Sequence, residues 1–366
     1  MKIESLKLKN YRNYDSLAIT FSPGLNIFIG DNAQGKSNIL ESVFVLALTK
    51  SYMNVKDVNL IMDGKDFARI EAKFNSSIDT SAEIIITANN KKLKINGNEI
   101  SKYSDYVTRI KVLIFSPYNV NFVKDGPSVR RKSVNIVISQ LYSSYVKLLQ
   151  NYNAVLKKRN MFLKSNFNLN DFNNVYLDAI NDKFCMLAVD IYLIRYNFVS
   201  KINEHIREIY KEITGFDYLF FKYVSIIDYD VDKKSMVDNF REKLVKLYDR
   251  EKLYGMTLIG PHRDDFLFFL DNKELSIYGS QGQIRAAILA MKLSEIFIFK
   301  ELDGDYPIVL LDDIFSELDI DKRNRIVKYI LDDVQTIITT TDIDMIDKSL
   351  VSKAKIFNVK SGNVID

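Results

Sequence analysis

The run Gly30-Asp-Asn-Ala-Gln-Gly-Lys-Ser37 constrains this chain more than any other stretch. It follows a short apolar segment, Leu25 to Ile29, and precedes Ile39, Leu40, Val43, Phe44 and Leu46 at helical spacing. Strand, glycine-bounded turn and helix, in that order, is the context of a phosphate-binding P-loop. Gly30 and Gly35 allow backbone angles that a side chain would forbid and let amides approach an anion closely. The amides of Asp31, Asn32, Ala33, Gln34 and their neighbours then line a concavity at the positive end of a helix. Lys36 is placed to reach the β- and γ-phosphates of a nucleotide, and the Ser37 hydroxyl suits a Mg²⁺ ligand. The loop alone does not say what the nucleotide is for.

The rest of the composition narrows the class. The 366 residues suffice for two domains, or one with an insertion, and the 47% hydrophobic and 27% charged content is that of a globular chain. One cysteine, Cys185, lies in an apolar run, and two histidines, His205 and His262, stand far apart. A disulfide framework and a zinc-type site are therefore both excluded. With no disulfide possible, a reducing cytoplasm is expected; apolar runs are too short to span a membrane and the N-terminus is too charged for a signal peptide. The net charge of +4 is compatible with nucleic acid without demonstrating it.

Taken in order, the chain begins with strands at Lys2 to Lys9 and Leu17 to Phe21. After the P-loop helix, Arg69 to Phe74, Ser81 to Ala88 and Lys91 to Ile95 form an antiparallel subdomain, with Asn89-Asn90 and Asn96-Gly97 as turns. Lys111 to Phe115 is a buried strand. From Asp125 to about Gly215 strand signals vanish, and two helical stripes are separated by the asparagine-rich stretch 166–174. Strands return at Leu219 to Ile227, Gly255 to Ile259 and Phe266 to Leu270. A helix from about Gln281 to Leu302 follows, then strands at Pro307 to Leu311 and Thr336 to Thr340. The expected organisation is α/β: a P-loop core of mixed sheet and helices with an antiparallel β subdomain and an inserted helical lobe. Its parts are 1–124, 125–215 and 216–366.

Two further stretches carry chemistry. The apolar strand ending in Asp312-Asp313 is the second half of a nucleotide site, with Asp312 holding Mg²⁺ directly or through water and Asp313 orienting or deprotonating the attacking water. Gly279-Ser-Gln-Gly-Gln283 opens a helix after a strand, so Ser280 and the amides of Gln281 and Gly282 offer a second anion site. Two such caps suit a nucleotide sandwiched between subunits, one giving the P-loop and the other this turn.

In this combination the chain resembles the RecF family of ABC-type, SMC-like ATPases. Gly30 to Ser37 looks like its Walker A, Ile308 to Asp313 like its Walker B, Ser316-Glu-Leu-Asp319 like its D-loop and Gly279 to Gln283 like its signature. Tyr11-Arg-Asn-Tyr14, Phe115-Ser-Pro117 and Gly260-Pro-His-Arg-Asp-Asp265 resemble RecF rather than other ABC proteins. Departures are Tyr118-Asn119, where two acids are common, Tyr52-Met53, where a His-Arg pair is common, and Asn135, where an aspartate is usual. The resemblance implies a DNA replication and repair protein of the DNA-damage (SOS) response. It would bind ATP and Mg²⁺, close as an ATP-dependent homodimer on DNA and hydrolyse ATP slowly in a DNA-dependent manner. Lys36, Asp312 and Asp313 would be catalytic. Ser280, Gln281, Gly282 and Gln283 would act on the partner's nucleotide, with Asp319 at the seam. Expected partners are duplex DNA and single-strand/duplex junctions, bound without sequence preference, together with RecR, RecO and RecA.

Charge adds a candidate DNA surface. Arg130, Arg131, Lys132, Lys147, Lys157, Lys158, Arg159 and Lys164 share a stretch whose only acid is Asp125. Arg130, Arg131, Lys132, Lys157, Lys158 and Arg159 are the expected phosphate contacts; the competing reading is a solvated helix face. A P-loop small-molecule kinase and an ABC ATPase serving another partner, such as a transporter, are the remaining alternatives.

Overall fold

The P-loop strand, Leu25–Ile29, lies in the middle of a six-stranded sheet. Lys355–Lys360 and Thr336–Thr340 flank it, Ile308–Asp312 and Val112–Phe115 continue beyond Thr336–Thr340, and Asn363–Ile365 closes the other edge. Every pairing is parallel except the terminal hairpin of Lys355–Lys360 with Asn363–Ile365. Parallel strands need both faces covered, and all five residues of Ile308–Asp312 and of Thr336–Thr340 are buried, the threonines and Asp312 included. Parallel alignment also brings the carboxyl ends of Leu25–Ile29, Thr336–Thr340 and Ile308–Asp312 to one side, where ligands of open α/β sheets bind. The computed structural model describes residues 1–75, 80–165, 175–230, 232–314, 323 and 333–365.

A second six-stranded sheet is antiparallel. Its order is Tyr14–Thr20, Lys2–Tyr11, Phe67–Asn75, Thr80–Thr87, Lys91–Ile95 and Asn98–Glu99. Asn96 and Gly97 both take positive φ, 50° and 79°, which is what a two-residue turn between the last two strands requires. The P-loop helix, Lys36–Leu48, buries almost its whole circumference, including Ile39, Leu40, Val43 and Phe44, and so is a core helix.

These elements form one compact unit, Met1–Val120 with Ile209–Gly215 and Ile288–Asp366. The other unit comprises Asn121–Glu208 and Phe216–Ala287. It holds the helices Pro127–Leu141 and Ser143–Ser165, most of the 40-residue helix Val175–Thr214, the helix Lys233–Tyr254 and a three-stranded sheet of Lys273–Glu274, Asp265–Leu270 and Leu219–Val224. The mixed head with an antiparallel subdomain and a helical lobe is the architecture expected from sequence. The segment Phe216–Ala287, assigned by sequence to the head, packs with the lobe.

One local expectation is corrected, and two elements go beyond the sequence reading. Gly255 to Ile259 is not a strand; Gly255, at φ 61°, is the left-handed cap of the helix Lys233–Tyr254. That helix was not anticipated, although Asp232 caps its first amides and Met236, Phe240 and Leu244 repeat every fourth residue. The C-terminal hairpin was likewise not anticipated. The break at 166–174 lies outside the described residues.

The lobe is held by buried arginines. Arg195, 2% exposed, donates to the Pro261 carbonyl at 2.7 Å, to Tyr145 and Tyr223 hydroxyls and to Asn135 Oδ1. Beside it, burial raises the Asp264 carboxyl to about 7 against the opposing pull of Tyr223, Arg195 and Arg131. Burial lowers His262 to about 4, opposed by its bond to the Thr257 backbone. The two shifts act oppositely on stability. Between pH 3.8 and 7 folded Asp264 keeps a proton that the unfolded chain has released, so its contribution falls as pH rises. Between pH 6.5 and 4 the unfolded chain takes a proton that His262 refuses, so its contribution falls as pH falls. Urea-unfolding midpoints across this range should separate them. Asp264→Asn should gain on the unsubstituted chain as pH rises, and His262→Gln should gain as pH falls. Parallel curves for all three proteins would contradict these shifts.

Candidate functional site

The P-loop takes its shape from neighbours that leave no room for side chains. A Cβ on Gly30 would lie 2.2 Å from the Val359 carbonyl oxygen of the C-terminal hairpin. Gly35 has φ 111°, and a Cβ there would meet Asn13 Nδ2 at 2.5 Å and the Tyr14 hydroxyl at 2.7 Å. The loop is thus cradled by the Tyr11-Arg-Asn-Tyr14 segment and the hairpin turn. Asn13 Nδ2 donates to the Gln34 carbonyl at 3.2 Å, Asn38 donates to Asn13 Oδ1 at 2.8 Å, and the Ser361 amide donates to Gln34 Oε1.

Arg12 anchors that segment. Its Nε and Nη2 each lie 2.8 Å from the Glu41 carboxylate, which also accepts from Tyr11 at 3.0 Å and from Ser51 at 2.5 Å. Glu41 belongs to the P-loop helix and is fully buried. The arginine's segment stood out in the sequence but the glutamate did not, because a charged residue in the second turn of a helix ordinarily faces water.

Lys36 Nζ donates to the carbonyls of Gly30 at 2.6 Å and Asp31 at 2.7 Å, so the ammonium lies within the loop. Burial lowers its pKa from the ordinary lysine value, opposed by the carboxylates of Asp313, Asp31 and Asp312. Ser37 Oγ donates to Asp312 Oδ1 at 2.6 Å across the sheet. Thr339 Oγ1, from the strand between them, donates to the same oxygen at 2.9 Å, and the Tyr52 hydroxyl donates to Oδ2 at 2.8 Å. Asp313 leaves the strand with φ 50°, and its amide donates to Thr339 Oγ1 at 3.0 Å. Ser37 and Asp312 therefore meet as predicted, and an all-oxygen donor set of hydroxyl and carboxylate beside a phosphate loop fits Mg²⁺. Thr339 and Tyr52 were missed as site residues; Tyr52 drew notice only as a departure. Burial and the Asp312 charge raise the Tyr52 phenol above its ordinary value, so it stays a proton donor.

In the lobe unit, the signature stretch is a reciprocal helix cap. The Ser280 amide donates to Gln283 Oε1 at 2.8 Å and the Gln283 amide to Ser280 Oγ at 3.3 Å, at the start of Gln281–Asp303. Ser280, Gln281 and Gly282 are all exposed. Asp319 and the rest of the Ser316 to Asp319 stretch lie outside the described residues.

The family described as RecF/RecN/SMC N terminal domain matches residues 2–364. The chain belongs to the RecF family. Among curated relatives, the DNA replication and repair protein RecF of Halalkalibacterium halodurans is 37% identical over 370 residues, covering 100% of this chain and 99% of that protein. Its counterpart in Lysinibacillus sphaericus is 38% identical over 368 residues, with the same coverage. The solved structure described as the recombination mediator protein RecF-ATP in the RecFOR pathway superposes with a TM-score of 0.90 at 28% identity, covering 100% of this chain and 97% of that one. An Smc head bound to the C-terminal winged-helix domain of ScpA shares the fold, with a TM-score of 0.57 at 15% identity. The chain therefore has the ABC-type ATPase head of the RecF and SMC proteins.

The six expected phosphate contacts of this RecF-family chain divide sharply. Lys132, Lys157 and Lys158 are at least partly exposed, and Arg131, half-buried, donates to the Asp264 carbonyl at 2.6 Å. Arg130 is 7% exposed and pairs with both oxygens of Asp265, at 2.6 and 2.7 Å. Arg159 is fully buried against Glu251 at 2.6 Å, Thr257 and Asn181, and has no surface with which to meet DNA. The expectation of a DNA contact is thus corrected for Arg159 and, by its bidentate carboxylate pairing, for Arg130. Apolar helix positions and charge were read separately in the sequence, which hides a charge that points inward.

Tyr52→Phe isolates one hydroxyl, because the ring would keep its edge contact with Phe44, 5.5 Å between centroids. Mn²⁺ binding in the presence of ADP should weaken by about tenfold, the size typical of losing a group that orients a metal ligand. Nucleotide affinity without metal should be unchanged. Equal Mn²⁺ affinity in the two proteins would show that the phenol does not position Asp312.

Proposed function

We propose that this chain is an ATP-dependent DNA-binding protein of replication and recombinational repair. In this reading it binds Mg-ATP at Gly30 to Ser37 and closes as a homodimer on DNA. It hydrolyses ATP slowly, with DNA stimulating the rate. It acts in the cytoplasm with RecR and RecO to place RecA at gaps. The observation that carries the reading is the meeting of Ser37 and Asp312 at 2.6 Å beside the P-loop, in a chain whose signature cap is open to solvent. The full-length likeness to RecF proteins, one of them described with ATP in the RecFOR pathway, supports the repair assignment.

Bound Mg²⁺ would supply charge neutralisation on the β- and γ-phosphate oxygens. The chain's own residues do the remainder. Loop amides and Lys36 bind and orient the phosphates, Ser37 and Asp312 hold the metal, and Asp313 at the strand end is placed to orient water. Ser280 and the first amides of its helix, supplied by the partner, close the far side of the nucleotide, with Asp319 at the seam. Hydrolysis then requires two chains, which accounts for slow turnover by an isolated one.

Light scattering and nucleotide binding on three proteins test this. The unsubstituted chain should dimerise when Mg-ATP is added. Ser280→Arg should bind ATP with unchanged affinity yet stay monomeric, because the substitution leaves the P-loop intact. Lys36→Arg should fold normally and lose ATP-driven dimerisation and turnover by at least about tenfold, the scale of losing one phosphate-positioning group. A chain that hydrolyses ATP as a monomer, indifferent to Ser280→Arg, would be a small-molecule kinase or another monomeric ATPase instead.

A further inference from the structure

The antiparallel sheet of the head has one face that the nucleotide site does not use. Alternation along the strands sends Leu6, Leu8, Ile70, Ala72, Ile84 and Ile86 into the core. The opposite face is set by register. One row runs Lys9, Arg69, Ile85, Lys92; the next runs Lys7, Glu71, Glu83, Lys94; the third runs Ser5, Lys73, Ser81. Six of these eleven side chains are basic and two are acidic.

Both acids are already engaged. Glu83 lies 2.8 Å from Arg69 and 3.2 Å from Lys94, and Glu71 pairs with Arg69. Lys9 is matched by Asp15 from the neighbouring strand at 2.9 Å. Lys7, Lys73 and Lys92 are exposed and make no ion pair among the described residues. Between the rows is a depression of about 240 Å³ lined by Lys7, Lys73, Lys94 and the hydroxyl residues Ser5 and Ser81, together with the ion-paired carboxylates Glu71 and Glu83.

Two features separate this from an ordinary solvated face. Lysines on edge strands discourage strand addition, but Lys7 and Lys73 sit on the second and third strands of the sheet, where no edge needs protecting. The like charges are only partly compensated. Lys9 is matched by Asp15 and Arg69 by Glu71 and Glu83, but Glu71, directly opposite Lys7, is drawn to Arg69, and Lys7 stays diagonal to Lys73, a placement in which like charges repel. An anionic partner would turn that repulsion into attraction.

We propose that this face is a second phosphate-binding surface, for the backbone of duplex DNA. Side chains two residues apart on a strand recur about every 6.8 Å, a spacing on the scale of successive backbone phosphates. Lysine ammonium and serine hydroxyl groups contact phosphate without reading bases, so binding is independent of sequence. The three rows contain no aromatic side chain, which favours duplex over single strands, because single-strand surfaces stack bases on aromatic rings. This inference rests on the DNA-binding reading above and adds a surface distinct in sequence from the lobe lysines.

The test compares three full-length proteins with Mg-ATP present: the unsubstituted chain, Lys7→Gln/Lys73→Gln/Lys92→Gln, and Lys157→Gln/Lys158→Gln. Duplex affinity is measured from about 50 to 200 mM salt, the range over which neutralised phosphates dominate the change. The sheet variant should bind duplex at least about tenfold more weakly at the low-salt end, and its slope of log affinity against log salt should be shallower by about one to three, at ~0.9 for each phosphate no longer neutralised. Its melting temperature should hold or rise as repulsion is relieved, which separates weakened phosphate binding from damaged folding. If the lobe variant loses affinity while the sheet variant keeps both affinity and slope, the sheet proposal is overturned and the DNA-binding reading stands. If the sheet variant loses single-strand binding only, the duplex assignment is overturned. If the unsubstituted chain binds no DNA, both readings fall together.

Discussion

The carboxylate of Glu41 holds the nucleotide loop in place. It has no exposed surface, and it accepts two hydrogen bonds from Arg12 and one each from Tyr11 and Ser51. These donors come from the end of the first strand and from the segment after the P-loop helix, while Glu41 is in the helix itself. Removing one side of such a pair leaves a buried charge uncompensated, at a cost of about 3–5 kcal/mol. Its larger consequence is positional. With Arg12 fixed, Asn13 is held against Gly35 and the Gln34 carbonyl, so the loop is braced from outside as well as by its own glycines. A loop that must wrap an anion with backbone amides benefits from having that shape before the anion arrives.

The sequence was most informative where chemistry is local. Glycine spacing, a strand ahead and a helix behind define a P-loop over a short continuous stretch, and an apolar strand ending in two aspartates is legible from its own residues. It was least informative where a contact joins distant segments. Nothing within Ser37 to Leu46 marks Glu41 as buried, and nothing beside Thr339 says that its hydroxyl reaches Asp312. The helix Lys233–Tyr254 was hidden differently: its buried apolar positions, Met236, Phe240 and Leu244, are diluted by lysines and acids, so the helical period is present but faint. Gly255, which the sequence places at the start of a strand, is instead the left-handed cap of that helix.

Charge was legible as a count and not as a direction. The basic stretch from Arg130 to Lys164 contains Lys157 and Lys158, both reaching solvent, immediately beside fully buried Arg159. A helix turns by about 100° per residue, so consecutive charges face different surroundings, and the third of them fell on the face packed against Glu251. On a strand the same count carries more meaning, because residues two apart share a face. Lys7 and Lys9 therefore had to be neighbours once the strand was assigned, and the register with Phe67–Asn75 and Thr80–Thr87 decides how many acids they meet.

Asp312 shows how a site can sense more than one segment at once. It ends an apolar strand and is 4% exposed, so its oxygens depend on protein donors. Those donors are Ser37 from the nucleotide loop, Thr339 from the strand between, and Tyr52 from the segment beyond the P-loop helix. Tyr52 in turn makes an edge contact with Tyr118, at 6.5 Å between centroids, just past the strand Val112–Phe115. Tyr118 therefore reaches the carboxylate through Tyr52. Movement of the loop at Ser37 would act on Asp312 through their hydrogen bond. The same carboxylate is tied through Tyr52 to the segment bearing Tyr118, and this gives a short physical route by which loop occupancy and the position of that segment constrain each other.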